Sequence, residues 1–242
     1  SDAGVTINLA TGAVGGGDAE GDELVSIENV IGSAHDDTFT GDDNANAFDG
    51  GAGDDTVVFT GNRADYTIDM DADGNLTVAD GTTGIVSVKN IETLSFADGE
   101  TVSILHVAAD GSGAYTTIQV AIDAAAEGDI VLVGPGTYET DLTIDKSITL
   151  LGAGGGLAGF DPARGTGEAI ITGDEGPNAW GSSGTVSVTA DNVVIAGFTF
   201  DFASGQAGNA TGNILIVDGA NATIFNNRLT SDGPFQSNQA VE

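Results

Sequence analysis

The sequence contains no cysteine, and only five of its 242 residues are Lys or Arg. Without disulfides, a chain outside the cell needs another staple, and a bound metal is the obvious one. Without cationic side chains a nucleic-acid surface is excluded, because phosphate recognition depends on Lys and Arg displacing counterions. An anionic membrane surface is disfavoured for the same reason. No apolar run is long enough to span a bilayer, so no membrane span is expected. Tyr and Trp are scarce, at three and one, and helical periodicity is nearly absent. His35 and His106 are too isolated to make a zinc site.

Acid and glycine dominate instead. Thirty-seven Asp and Glu against five basic residues give a formal net charge of -32. Such a charge opposes compaction unless cations neutralise it. An organism that lives in salt and keeps its surfaces acidic is the competing explanation. Glycine accounts for 38 residues, about twice ordinary usage. The mix of Gly, Asp, Asn, Thr and Val reads as many short strands joined by tight turns. The length allows one large or two modest domains. The chain starts without Met or a signal peptide and reads as a piece of a longer protein.

Three nonapeptides follow one another: "GSAHDDTFT" (32–40), "GDDNANAFD" (41–49) and "GGAGDDTVV" (50–58). Their first positions are Gly32, Gly41 and Gly50. Their sixth positions are Asp37, Asn46 and Asp55, and their eighth are Phe39, Phe48 and Val57. Glycines permit the backbone to turn carbonyls inward, and the sixth residue adds a carboxylate or amide oxygen. Calcium takes roughly six to eight such hard oxygens, more than one loop supplies. If each nonapeptide is half a turn of a flat solenoid, loops on one side recur every two copies. Asp37 and Asp55 then stack and share an ion, Val57 faces inward beside Phe39, and Asn46 lies on the opposite edge. The candidate calcium ligands are Gly32, Ala34, Asp37, Gly41, Asp43, Asn46, Gly50, Ala52 and Asp55. An acidic, turn-rich hairpin without metal is the alternative.

This segment resembles the RTX (repeats-in-toxin) nonapeptide family, with its consensus G-G-x-G-x-D-x-U-x. The third copy matches throughout. The first has Ser33 and His35, and the second Asp42, Asn44 and Asn46, at consensus positions. The resemblance implies a parallel β-roll, folding driven by Ca2+, and export by a bacterial type I secretion system.

Residues 60–105 alternate apolar and polar side chains between Asp-Gly turns, which reads as antiparallel strands capping the roll. The expected core side is Tyr66, Ile68, Leu76, Val78, Val86, Val88, Ile91, Leu94 and Phe96. Within it, Asp69, Asp71, Asp73, Gly74 and Asp80 match the spacing of an EF-hand loop, except that Asp replaces the final Glu. The flanks read as strands, so an Asp-Gly hairpin turn competes with a second calcium loop.

The character changes at His106, dividing the chain into domains 1–105 and 106–242. One helix is expected, capped by Thr116 or Thr117, with Ile118, Ala121, Ile122 and Ala125 on one face. Short apolar strands follow over 130–133, 142–144, 148–151, 169–171, 186–188, 193–200, 214–217 and 223–229. Their recurrence, with Asn, Asp and Gly at the corners, indicates a parallel β-solenoid. The fold class expected for the whole chain is therefore all-β.

The stretch "VAADGSGAYTTIQVAIDAAAEGDIVLVGPGTYETDLTIDKSITLLG" (107–152) resembles the opening of pectin methylesterases and other pectin-lyase-like right-handed β-helix proteins. The resemblance implies an amino-terminal capping helix and a groove suited to polysaccharide. Such esterases use an Asp nucleophile, a second Asp and oxyanion-holding glutamines. Those motifs are absent near Asn213 and Asp232, so no catalytic residue is carried over. Asp201, Asp218, Asp232 and Arg228 are either groove-lining or solvated coil corners. Trp180 is a sugar-stacking or a packing residue. The glycines Gly154, Gly156 and Gly159 match G-x-G-x-x-G but lack the helix that a dinucleotide site requires. Asn-x-Thr at Asn75, Asn209 and Asn221 reads as incidental.

Two functions compete. One is a secreted, non-catalytic, calcium-binding module of an adhesin, surface-layer or matrix protein, with polysaccharide or copies of itself as partners. The other is a fragment of a polysaccharide-active enzyme, an esterase, lyase or uronate epimerase, carrying RTX repeats.

Overall fold

A computed structural model describes residues 1–139, 141–158, 161, 167–172, 186–202 and 215–231. The protein is almost entirely β, as its composition requires, and its chain divides into two compact units, Ser1–Leu105 and His106–Glu242.

The first unit is a coil with two strand-bearing sides. Thr38–Thr40 pairs in parallel with Thr56–Val58, placing Phe39 opposite Val57. On the other side Asn29–Ile31 pairs in parallel with Asn46–Asp49, placing Val30 opposite Phe48. Both pairings span eighteen residues, so two nonapeptides make one turn. The strand period of two carries positions six and eight of each repeat inward together. Phe39, Phe48 and Val57 are fully buried as a result, with the Phe39 and Phe48 rings stacked at 5.2 Å and 8°.

The bridge differs from the expectation of a purely antiparallel cap. Val86–Lys89 pairs in parallel with Asn46–Asp49, and Thr93–Ser95 in parallel with Thr56–Val58. These strands continue the coil. Thr67–Met70 and Leu76–Ala79, inserted in sequence between successive turns, form an antiparallel hairpin that extends the sheet beyond Val86–Lys89, and Thr101–Val107 runs back along Thr93–Ser95. Alternating side chains look the same in either pairing, so the pattern could not tell them apart. Of the expected core, Tyr66 and Ile68 are only half-buried and the other seven residues are buried, while Met70, outside that set, is buried at the hairpin's end. Tyr66 packs against Phe59 and Phe96, with Arg63 over the Phe96 ring at 5.5 Å.

The second unit opens with the helix Ile118–Ala124, whose buried face is Ile118, Ala121 and Ile122, continued by Ala125. Thr117 occupies its N-cap, but its side chain makes no capping bond. The carboxyl end is capped instead by Lys146, whose Nζ donates to the carbonyls of Ile122, Asp123 and Ala125 at 3.1, 2.7 and 2.8 Å. A cation there also complements the helix dipole.

Three parallel sheets follow. Ile130–Val133, Thr149–Gly152, Val194–Ala196 and Thr223–Phe225 stack in the first. Gly136–Glu139, Ala169–Thr172, Phe198–Phe202 and Arg228–Ser231 stack in the second. Leu142–Ile144, Val186–Val188 and Leu215–Val217 stack in the third. Each coil visits the three in turn, and columns such as Tyr138, Ile171 and Phe200 are buried in register. Two expected single strands are each split by a left-handed residue, at Gly197 (φ 84°) and Asn226 (φ 53°). Gly136–Glu139 had no apolar run to reveal it.

Candidate metal centre

The sixth residues of the three repeats are buried at one corner or the other of the coil: Asp37 is 1% exposed, Asn46 3% and Asp55 0%. The first-position glycines make room for them. A Cβ on Gly32, Gly41 or Gly50 would collide with Asp37 Oδ2, Asn46 Oδ1 or Asp55 Oδ2 respectively.

Carboxylates and amides then link the coils. Val5 N donates to Asp37 Oδ1 at 2.7 Å, Asp37 N to Asp55 Oδ1 at 2.7 Å, and Asp55 N to Glu92 Oε2 at 2.8 Å. Each donor or acceptor residue directly precedes a paired strand residue: Thr6, Thr38, Thr56 and Thr93. A second, exposed rung joins Asp54 N to Asp36 Oδ1 at 2.9 Å. Glu92 lies outside the repeats, and only the parallel pairing across the inserted hairpin places it here.

The three copies differ at one atom. In the first, Asp37 Oδ2 accepts from Ser33 N at 2.5 Å, and Oδ1 also accepts from Ser33 Oγ at 2.9 Å. In the second, Asn46 Oδ1 accepts from Asp42 N at 2.9 Å, and Asn46 Nδ2 donates to Asp42 Oδ1 at 3.2 Å. In the third, Asp55 Oδ2 is buried with no hydrogen-bond partner. The equivalent residue there is Gly51, with φ 98°. Burial of the Asp55 carboxyl, reinforced by the nearby charges of Asp37, Glu92 and Asp36, pushes its pKa up to about 6, although the Asp37 amide opposes this. A buried carboxylate oxygen without a donor suits a hard cation.

The remaining predicted ligands are not carboxylates aimed at this point. Ala34 and Ala52 are exposed and offer only main-chain oxygen, and Asp43 is exposed while its carbonyl accepts from Gly84 N at 3.0 Å. Among the described residues no three His, Cys, Asp or Glu side chains converge as a metal cluster.

The EF-hand-like stretch folds as a hairpin. Asp71 Oδ1 accepts from Asp73 N and Asn75 N, both at 2.9 Å, and Gly74 adopts φ 85°. Asp80 serves a different turn, accepting from Thr82 N and Thr83 N at 2.8 Å, and those amides hold its pKa down to about 2. Asp69 Oδ1 accepts from the next amide, Met70 N, at 2.8 Å.

In the second unit Arg228 is a strand residue rather than a solvated corner. Its Nη2 lies 2.9 Å from Glu168 Oε2, which also accepts from Thr199 Oγ1 at 2.5 Å. Glu168 and Thr199 are buried. Asp201 Oδ1 accepts from Thr230 Oγ1 at 2.8 Å, and Asp218 is exposed. Asp232, Asn213 and Trp180 lie outside the described residues, as do Gly159 and Asn209. No helix among the described residues is long and apolar enough to cross a membrane.

No protein-family model matches the chain, and no solved structure matches it. It is 30% identical over 124 residues to a probable pectinesterase/pectinesterase inhibitor 17 of Arabidopsis thaliana, a match covering 49% of this chain and 22% of that protein. It is 36% identical over 90 residues to a cell surface glycoprotein of Methanothermus fervidus, covering 36% of this chain and 12% of that protein. The chain thus spans under a quarter of the length of either relative. The similarity is to a pectinesterase and to a surface glycoprotein.

Proposed function

We propose that this chain is a calcium-stabilised extracellular or cell-surface module of adhesin, surface-layer or matrix type, non-catalytic as it stands. The observation that carries the reading is Asp55, a fully buried carboxylate with one oxygen lacking any donor, inside the repeat that fits the RTX consensus throughout. Gly50 would hold the loop open for the carboxylate, and the Asp37 amide would fix its orientation through Oδ1. Bound calcium would supply the positive charge that a chain of net charge -32 otherwise lacks. Export by a bacterial type I route belongs to the same reading, as do polysaccharide or further copies of the chain as partners. The similarity to a surface glycoprotein supports the location. The direct test is calcium titration of the metal-stripped chain, followed by circular dichroism and calorimetry. A saturable transition to more ordered structure supports the reading, and unchanged spectra and no heat of binding reject it.

The pectinesterase similarity favours a second reading, a fragment of a polysaccharide-active enzyme. Glu168, Thr199 and Arg228, with Asp201 and Thr230, group polar and charged side chains at one parallel sheet of the solenoid. Turnover of pectin or alginate by the chain or its parent would establish this reading. Inactivity across a panel of uronate polymers would exclude it.

A further inference from the structure

We propose that the cation at this corner sits between Asp55 and the following coil, with Glu92 and the main-chain oxygen of Asn90 as its further ligands, and not between Asp55 and Asp37. This rests on the calcium reading above and departs from the pairing that the nonapeptide repeat suggests.

Three observations carry it. First, Asp37 is already committed. Its Oδ1 accepts from Val5 N and Ser33 Oγ, and its Oδ2 from Ser33 N at 2.5 Å. A cation on that side would have to displace the Ser33 amide. Second, the Asp55 oxygen without a donor and the Asn90 carbonyl oxygen flank the same point. The Cβ that Gly50 lacks would collide with both of them. The equivalent point one coil earlier, beside Gly32, is flanked by Asp37 Oδ2 and the Gly50 carbonyl, but there the Ser33 amide takes the carboxylate.

Third, Glu92 stands at the ladder position that Asp37 and Asp55 hold in the earlier coils. Gly50 N donates to Lys89 O, and Thr93 pairs with Thr56, so Asn90 stacks below Gly50 and Glu92 below Asp55. Only Ile91 and Glu92 separate Asn90 from Thr93, where residues 51–55 separate Gly50 from Thr56. The turn is three residues shorter, and the extra methylene of Glu over Asp restores the reach. Glu92 Oε2 meets the Asp55 amide at 2.8 Å. This brings a second acidic side chain to the coil step that Asp55 occupies. The charge of the half-buried Glu92 acts unfavourably on the buried Asp55 carboxylate, and a cation between them would relieve it. Calcium would complete its shell from loop carbonyls and water.

The test uses the whole chain and four variants: Glu92→Gln, Glu92→Asp, Asp37→Asn and Asp55→Asn. Calcium affinity is measured by calorimetry, with terbium luminescence as a second readout. Circular dichroism at saturating calcium identifies which variants are folded. Glu92→Gln keeps an oxygen for the Asp55 amide but loses the charge, and is expected to weaken calcium binding by about tenfold or more. Glu92→Asp keeps the charge but not the reach, and is expected to weaken it similarly, which a purely long-range charge effect would not do. Asp37→Asn is expected to lower the melting temperature while leaving affinity within about threefold. Wild-type affinity in both Glu92 variants, with loss in Asp37→Asn, would overturn the proposal. Absence of calcium binding by the unaltered chain would instead remove the calcium reading itself, and the proposal with it. Should Asp37→Asn not fold, Ser33→Ala decides the same point: freeing Asp37 Oδ1 from one donor should leave calcium affinity unchanged, and a clear gain would overturn the proposal.

Discussion

The Asp37 amide donates to Asp55 Oδ1 at 2.7 Å across eighteen residues of sequence, one full turn of the coil. That bond fixes one oxygen of Asp55 and leaves the other buried without a donor. The chemistry expected of the first unit follows from this asymmetry.

Its first consequence concerns pH. The folded-state pKa of Asp55, about 6, lies above the ordinary value of 3.8. The native protein therefore holds this proton more tightly than the unfolded chain. The metal-free protein should lose stability as pH rises from about 4 to about 6, by an amount on the order of 3 kcal/mol, and then level off. Calcium binding should release a proton within that window, and its stabilising effect should grow with pH across it. Thermal melts in EDTA between pH 4 and pH 7, compared with Asp55→Asn, measure this. The same slope in the variant would remove Asp55 as its source.

Gly50→Ala should be poorly tolerated, because the new methyl collides with Asp55 Oδ2 and the Asn90 carbonyl. A loss of about 2 kcal/mol or more is expected, since main-chain atoms must move to relieve the clash. Gly15→Ala is the control: nothing lies within 4 Å of its Cβ, and the expected change is within about 0.5 kcal/mol. Urea unfolding of both variants gives the comparison.

Phe48→Ala should remove the ring stacked on Phe39 and leave a cavity between the two sides of the coil. The expected loss is about 3–5 kcal/mol. Because both rings are buried, no surface rearrangement can fill the gap cheaply. Chemical denaturation at saturating calcium measures it.

In the second unit, Arg228→Met should remove the ion pair that Arg228 Nη2 makes with the buried Glu168 carboxylate. Arg228 is 37% exposed, so solvent screens the pair and the loss should be about 1 kcal/mol, whereas replacing both by apolar groups should cost less. Arg228→Met with Glu168→Leu should therefore recover much of the stability lost by Arg228→Met alone. A double variant less stable than the single would show that Glu168 has a role beyond this pair.

Much of this architecture was legible in the sequence, and particular residues show why. The repeat spacing alone placed Val57 beside Phe39, because a fixed period of nine makes every second copy coincide. The helix was legible from Ile118, Ala121, Ile122 and Ala125, which recur at a helical spacing. Long-range relationships were not. Glu92 joins the carboxylate ladder because Thr93–Ser95 pairs directly with Thr56–Val58 past an inserted hairpin, which no local pattern reveals. Arg228 meets Glu168 sixty residues earlier, across two coils, a pairing that local pattern leaves open between a groove-lining residue and a solvated corner. The commitment of Asp37 to Ser33 turned on a serine that looked like a mere departure from the consensus.

The most direct measurement is the thermal unfolding of the whole chain near pH 7.5, in millimolar calcium and in EDTA, alongside Asp55→Asn. The prediction is a rise of about 10 °C with calcium for the natural sequence, if calcium is well above its dissociation constant, and almost none for the variant. Identical melting curves in calcium and EDTA for the natural sequence would contradict it.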